Sequence, residues 1–272
     1  MNDSGPARLL RVSSWRERAR HSRARRALHR QLLYQERKAD AFKVVEGLES
    51  EIVEMRKLEA RELRTWFEQA GTIPTRARLL EVGSGSTGLI FHFEDFDSEG
   101  LRVGVDPLAV DYVHLFPNIQ RRALTCAASG ESLPFSTASF DVVLCDNVID
   151  HAETPGDIVR ELGRVLKPHG LLYFSVNVHH PFYRYASWTH AACNTAGVHL
   201  EIGPFADHTV HLTLDDARQL LRALPLRILF ERDGIDAART AARATPPRHL
   251  DDRFKRLFFK NARYEVLAVR QS

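Results

Sequence analysis

Three glycines and one carboxylate hold the most legible chemistry in this sequence. Gly83, Gly85 and Gly88 stand in a G-x-G-x-x-G spacing within Leu-Leu-Glu-Val-Gly-Ser-Gly-Ser-Thr-Gly, residues 79–88, directly after an apolar run. Glycines at such a place permit a tight turn and let a ligand approach the backbone closely. Asp106 ends the next apolar run. A carboxylate there can accept hydrogen bonds from both hydroxyls of a ribose. Taken alone, this pair of features fits a nicotinamide dehydrogenase as well as a transferase that uses a nucleoside cofactor.

The downstream residues separate the two. Glu131-Ser132-Leu133-Pro134-Phe135 is followed by Ser139-Phe140-Asp141-Val142-Val143, then by Glu161, and then by Arg164-Val165-Leu166-Lys167-Pro168-His169-Gly170 before another apolar run. This ladder resembles the class I S-adenosylmethionine-dependent methyltransferases, and most closely the branch with the ubiquinone and menaquinone methyltransferases. The resemblance covers roughly residues 75–178. It implies an α/β, Rossmann-like fold: a seven-stranded sheet with helices on both faces and the last strand antiparallel.

The resemblance also implies roles for matching positions. The loop of Gly83, Ser84, Gly85 and Gly88 would pass under the methionine and ribose of S-adenosylmethionine, with Glu81 nearby. Asp106 would hold the ribose diol and Leu108 would lie against the adenine. Gly130, Glu131, Ser132 and Leu133 would line the adenine edge. Asp146 and Asn147 would face the methionine end, and His151 would stand near the acceptor. Two departures occur: Ser129 replaces the usual acidic residue two before Glu131, and Lys-Pro-His-Gly replaces Lys-Pro-Gly-Gly.

Methyl transfer from a sulfonium needs alignment above all, because the donor is already activated. A base helps where the acceptor is a hydroxyl, phenol or acidic carbon. His151, His179 and His180 are the candidates, the last two at the end of the fifth strand, where an open α/β sheet meets its ligand. Phe182, Tyr183, Tyr185 and Trp188 could wall a flat or hydrophobic acceptor, or simply pack a lid. His190 and Cys193 have ligand-like spacing, but no CxxC or HxxxH completes a zinc pattern, so no metal is expected. The Asn/Asp-Pro-Pro-aromatic tetrapeptide of base-modifying enzymes is absent, since 146–149 read Asp-Asn-Val-Ile.

Elements must hold these groups in place. Ala77–Val82, Leu101–Val105, Phe140–Leu144 and Leu171–Val176 are short apolar runs of buried-strand type, separated by helix-like segments near 107–116 and 154–167. For the second helix, Thr154, Pro155 and Asp157 predict a capping box with proline at the first position, and Pro168 with Gly170 predicts its end. Thr213 and Asp216 predict another cap. Val45, Leu48, Ile52, Met55, Leu63 and Trp66 predict one amphipathic helix that stops near Gly71. Residues 179–211 interrupt the rhythm as an acceptor-side insertion or lid, with six of the 13 histidines. The expected division is a helical region over 1–70 and a methyltransferase domain over 71–272.

Composition is that of a globular protein, with 44% hydrophobic and 27% charged residues in 272. No run is long and apolar enough to span a bilayer, the opening residues lack an apolar core segment, and three scattered cysteines fit a reducing compartment. A cytoplasmic location is therefore expected. The net charge of +3 hides a balance of +8 over residues 1–38, against −3 over 39–70 and −2 beyond. That basic arm fits a structural or dimer-forming helix, a grip on nucleic acid, an anionic membrane surface or an acidic partner, or an Arg-rich targeting segment. The leading expectation is a methyltransferase acting on a small-molecule acceptor of natural-product, quinone or lipid-like type. An RNA or ribosome-component methyltransferase and a non-catalytic assembly factor of the same fold are the alternatives.

Overall fold

A computed structural model describes residues 15–71, 73–74, 76–93, 100–152, 154–183, 211–244, 246, 253 and 256–272. Two helices come first, α1 (Trp15–Val44) and α2 (Leu48–Ala70). Then follow β1 (Arg78–Val82), β2 (Leu101–Val105), α3 (Ala109–Leu115), α4 (Pro117–Gln120), β3 (Leu124–Cys126) and β4 (Phe140–Asp146). The chain continues with α5 (Pro155–Val165), β5 (Leu166–Val178), α6 (Leu214–Arg222), β6 (Leu226–Arg232), α7 (Ile235–Ala244) and β7 (Ala262–Arg270). The seven strands form one sheet in the order β3-β2-β1-β4-β5-β7-β6. β1 to β5 pair in parallel, and β7 is antiparallel to both of its neighbours. This is the expected mixed sheet with an inverted last strand.

Side chains alternate between the two faces of each strand. Leu80, Val82, Val143, Cys145, Leu172, Phe174, Val176, Tyr264 and Val266 enter one core with Ile158, Val159 and Leu162 of α5 and Ala217 and Leu221 of α6. The intervening Leu79, Val142, Leu144, Tyr173 and Leu267 enter the other, with Ala39 of α1, Val53, Ala60, Leu63 and Phe67 of α2, and Tyr112 of α3. Strands covered on both sides are apolar in both phases, which is why their runs were visible in sequence. β3, with only three residues and an exposed Leu124, carries no comparable run.

Three local expectations are corrected. The stripe of α2 is rotated: Val53, Ala60, Leu63 and Phe67 face the core, while Val45 and Met55 are half exposed. Gly47 turns the chain with φ 80°, so Val45 belongs to the inter-helix turn and not to α2. Thr154 makes no side-chain cap bond, so no capping box forms there, although Pro155 does begin the helix. Finally, the helix ends at Val165, and Leu166 already pairs with Phe140. Lys167–Gly170 form an irregular stretch of β5 with His169 at φ 64°, and Leu171 resumes the ladder opposite Val142. Lys167 there bonds Asp141 at 2.8 Å. The Thr213–Asp216 capping box is present as expected.

Tyr185 and Trp188, with most of the 179–211 insertion including His190 and Cys193, lie outside the described residues, as does the start of the arm. No helix among the described residues is long and apolar enough to cross a membrane.

Phe67 is fully buried and packs against Phe93 with ring centroids 6.3 Å apart. Phe67→Ala should cost about 3–5 kcal/mol of stability, read as a lowered urea midpoint. An unchanged midpoint would mean that α2 is an appendage and not part of the core.

Candidate functional site

The carboxyl edge of the parallel strands is the place where an open α/β sheet can hold a ligand. The backbone leaves β1 through a turn held by Gly83 N and Ser84 N, which both donate to Val105 O at 2.7 and 3.0 Å. Gly83 has φ 72° and Gly85 φ 54°, conformations that side chains disfavour. A Cβ at Gly83 would stand 2.3 Å from Val148 Cγ2, and one at Gly88 2.4 Å from Ser84 O and 2.5 Å from Glu81 Oε2. A Cβ at Gly85 would meet nothing within 4 Å. Two glycines are thus required by packing. The third is required by its backbone angle and leaves open space above it.

Asp106 ties this turn to the next strand. Its Oδ2 accepts from Gly85 N at 3.0 Å and its Oδ1 from Leu108 N at 2.9 Å. Each oxygen keeps a lone pair for a further donor. Burial raises the Asp106 pKa, opposed by those two N–H groups.

Glu81 is 1% exposed. It does not point outward: its oxygens accept from Leu89 N and Ile90 N at 3.2 and 2.8 Å, capping the short turn at Leu89–Phe91. Burial first, and the Asp146 carboxylate third after the opposing Ile90 N–H, push its pKa to about 8.

In the loop after β3, Gly130 lies so close to β1 that a Cβ would be 2.9 Å from Val82 Cγ1. Ser129 Oγ donates to the Glu131 carboxylate, so a carboxylate occupies this edge despite the sequence departure at 129. Ser132 N bonds Ser129 O at 3.1 Å. The loop is pinned from below by α5. Glu161 accepts from Leu133 N at 2.7 Å, and Arg164 donates to Leu133 O and Phe135 O at 3.0 and 2.7 Å.

Asp146 ends β4 with 5% of its side chain exposed. It accepts from Ser175 Oγ at 2.6 Å, Arg263 Nη2 at 2.9 Å and Arg56 Nη1 at 3.4 Å. Asn147, at φ 56°, is fixed by Ser175 O and by Asn177 N. Arg56, from α2, also donates to Thr87 O at 2.9 Å and to Glu59 at 2.5 Å. Arg263 further reaches Tyr173 Oη at 3.1 Å and Glu265 Oε1 at 3.2 Å. Sequence reasoning missed Arg56, Tyr173, Arg263 and Glu265. The available signal was strand phase: Asp146, Ser175, Tyr173, Glu265 and Arg263 fall on the same face as Leu144 and Leu267. Beside them, a cavity of about 200 Å³ is lined by Glu59, Trp66, Leu89, Tyr173, Arg232 and Arg263, among others.

The predicted bases do not form one cluster. His151 follows Asp146 by one short turn, with half of its side chain exposed and Nε2 3.8 Å from Asp150 Oδ1. His179 is buried; its Nδ1 accepts from Asn261 N at 3.3 Å and its ring meets His211 at 4.9 Å. His180 Nδ1 accepts from Phe182 N at 3.2 Å, and its ring packs on Phe258 and Phe259. Phe182 stacks on Phe258 at 4.5 Å, while Tyr183 is 3% exposed with its hydroxyl on Phe258 O.

A glycine turn with open space above it, a carboxylate at the end of β2 and a second loop against β1 meet at the carboxyl edge of the sheet, where open α/β domains hold their ligands. Residues 80–174 match a family described as a methyltransferase domain. Among curated relatives, an uncharacterized methyltransferase of Mycobacterium leprae is 31% identical over 150 residues, 54% of this chain and 46% of the relative. A ubiquinone biosynthesis O-methyltransferase of Pseudomonas putida is 28% identical over 116 residues, 40% and 48% of the two chains. The chain spans about half the length of the curated relatives it matches. Among solved structures, geranyl diphosphate C-methyltransferase from Streptomyces coelicolor, in complex with S-adenosyl-L-homocysteine, has a similar fold. It superposes with a TM-score of 0.54, at 14% identity and with 78% of this chain and 76% of that chain covered. Residues 80–174 therefore match a methyltransferase domain, on a fold that solved methyltransferases share.

Because the Glu81 pKa is raised from 4.5 to about 8, its contribution to stability is complete below pH 4.5 and is lost as pH rises through 8. The melting temperature should fall between about pH 4.5 and 8 and level off above, and Glu81→Gln should flatten that slope whatever its effect on the level. An equal slope in both proteins would remove Glu81 as its source.

Proposed function

We propose that the chain is an S-adenosylmethionine-dependent methyltransferase acting on a small-molecule acceptor. The single observation that carries this reading is the cradle formed by Gly83–Gly88 and Asp106, within the stretch that matches the methyltransferase domain. When bound, the cofactor supplies a methyl group on an already activated sulfonium. The protein's task is then to hold, align and exclude. Asp106 holds the ribose diol while keeping its two backbone bonds, and Ser84 and Gly85 lie beneath. Leu108, Glu131, Ser132 and Leu133 border the base. Asp146 and Asn147, locked by Ser175 and Asn177, face the methionine end.

The acceptor lies beyond Asp146. The cavity under α2 is smaller than the several hundred cubic ångströms usual for whole drug-sized ligands. A natural-product or quinone-like acceptor would place only its reacting end there, against Trp66, Tyr173 and the guanidiniums of Arg232 and Arg263. The likeness to a ubiquinone biosynthesis O-methyltransferase supports such an acceptor. His151 has the exposure and position to take a proton from it; His180 is the second candidate, and His179 has its ring nitrogen on Asn261 instead.

The test is turnover with methyl-labelled cofactor against candidate acceptors, following label and S-adenosylhomocysteine by mass spectrometry. Asp106→Ala should weaken cofactor binding by roughly 100-fold or more, since two hydrogen bonds to a charged group are lost. Unchanged affinity by calorimetry would sink the ribose assignment. For an acceptor that turns over, His151→Ala should lower kcat about 10²–10⁴-fold with cofactor affinity intact. A wild-type rate in that variant would remove His151 as the base. Tight cofactor binding with no turnover on any acceptor would favour the non-catalytic reading.

A further inference from the structure

One residue of the basic arm reaches the glycine loop. Lys38, on α1, points into the protein: its ammonium donates to Ser86 Oγ and to Thr87 Oγ1, each at 3.2 Å. The rings of Phe42 and Phe116 flank it at 5.7 Å. Neighbouring Gln35 is also buried and accepts from Ser86 Oγ at 2.8 Å. A lysine removed from water to this degree is ordinarily paired with a carboxylate. Lys38 has none among the described residues, and its third N–H has no partner among them. The charge that acts on it is Arg56, of the same sign; burial first and Arg56 second pull its pKa down to about 8.

The charges of the site and of the cofactor can be compared group by group. S-adenosylmethionine carries a sulfonium, an α-ammonium, a ribose diol and a single anionic group, its α-carboxylate. Asp106 and Asp146 stand around the loop for the cations and hydroxyls, while Glu81 already accepts from Leu89 N and Ile90 N. The other cation on the loop, Arg56, is already committed to Glu59, Asp146 and Thr87 O. What remains uncompensated is one positive group on the protein and one negative group on the ligand.

We propose that Lys38 binds the α-carboxylate of S-adenosylmethionine, so that helix α1 is a wall of the cofactor site. This rests on the cofactor reading above. Lys38 lies outside the stretch that matches the methyltransferase domain, so the ligand comes from the part of the chain that the motifs do not describe. Part of the arm's charge then serves the cofactor, and a nucleic acid is not needed to explain this lysine.

The competing account is that Lys38 only fastens α1 to the loop through its two hydroxyl bonds. A pair of ligands separates the two: S-adenosylmethionine and its decarboxylated form, which keeps sulfonium, ammonium and ribose and lacks only the carboxylate. Both are titrated by calorimetry into the full chain, into Lys38→Met, which keeps most of the apolar stem, and into Lys38→Arg, which keeps the charge. The wild type should prefer S-adenosylmethionine. In Lys38→Met its affinity should fall about 10–100-fold, the loss of a hydrogen bond to a charged group, to meet that of the decarboxylated form, which stays unchanged. Lys38→Arg should regain part of the preference. Equal weakening of both ligands in Lys38→Met, or weakening of neither, overturns the carboxylate contact and leaves the fastening role. A wild type that binds neither ligand overturns the cofactor assignment itself, and Lys38 with it.

Discussion

The site depends on a turn that has no room for side chains. Gly83 and Gly88 sit where a single added carbon would overlap Val148 on one side and the Ser84 carbonyl on the other. Everything that makes a ligand site follows from this close packing. The chain reverses direction within a few residues of β1, which brings the Gly85 N–H to the Asp106 carboxylate. The same turn delivers Leu89 and Ile90 to Glu81. One buried carboxylate thus fixes where the loop ends, and another fixes how far it stands from β2. A loop held at both ends can present its backbone without reorganising when a ligand arrives, which reduces the ordering cost of binding.

The second organising feature is the phase of the strands. Period-two alternation puts Asp146, Ser175, Tyr173, Glu265 and Arg263 on one face at the carboxyl edge. That face is covered by α2, which contributes Arg56 and Glu59. Asp146 is held between two guanidiniums from opposite ends of the sequence, and burial alone would disfavour its charge unless such partners were present. The result is a rigid carboxylate at the carboxyl end of β4. Charged groups of both signs in a partly dry site act more strongly than in water.

The central sheet was legible because its strands are buried on both faces and so are apolar in both phases. The glycine loop was legible because backbone conformation demands one residue type, and Asp106 because it follows a strand at the expected place. Ser129 and Glu131 were legible as residues but not as a pair; their hydrogen bond depends on a turn the sequence does not specify. Arg56 was hidden because it is a charged residue on an amphipathic helix, and periodicity alone does not say which polar residue meets another element. The helix packs on the sheet through Val53, Ala60, Leu63 and Phe67, and this turns Arg56 toward Asp146. Arg263 was hidden for the converse reason: it lies in an apolar strand near the chain end, and only the antiparallel pairing of β7 with β5 brings it to Asp146. Such contacts are set by tertiary packing, and local periodicity carries no trace of them.

The two N-terminal helices therefore have a meaning beyond coverage. The glycine loop at the carboxyl edge of the sheet faces the helices that precede β1. Here that side is closed by residues of α1 and α2 that make polar contacts with the loop itself: Gln35 and Lys38 on Ser86 and Thr87, and Arg56 on the Thr87 carbonyl. These contacts join the loop to helices whose apolar residues, Ala39, Val53 and Phe67, are part of the sheet's own core. Moving either helix would expose apolar surface and break the polar bonds together, so the helices and the loop are stabilised as a unit. A methyl donor lodged on that loop would be shielded from water by the same packing that stabilises the fold. Shielding matters because transfer by displacement succeeds only when the acceptor, and no solvent molecule, stands in line with the departing sulfur.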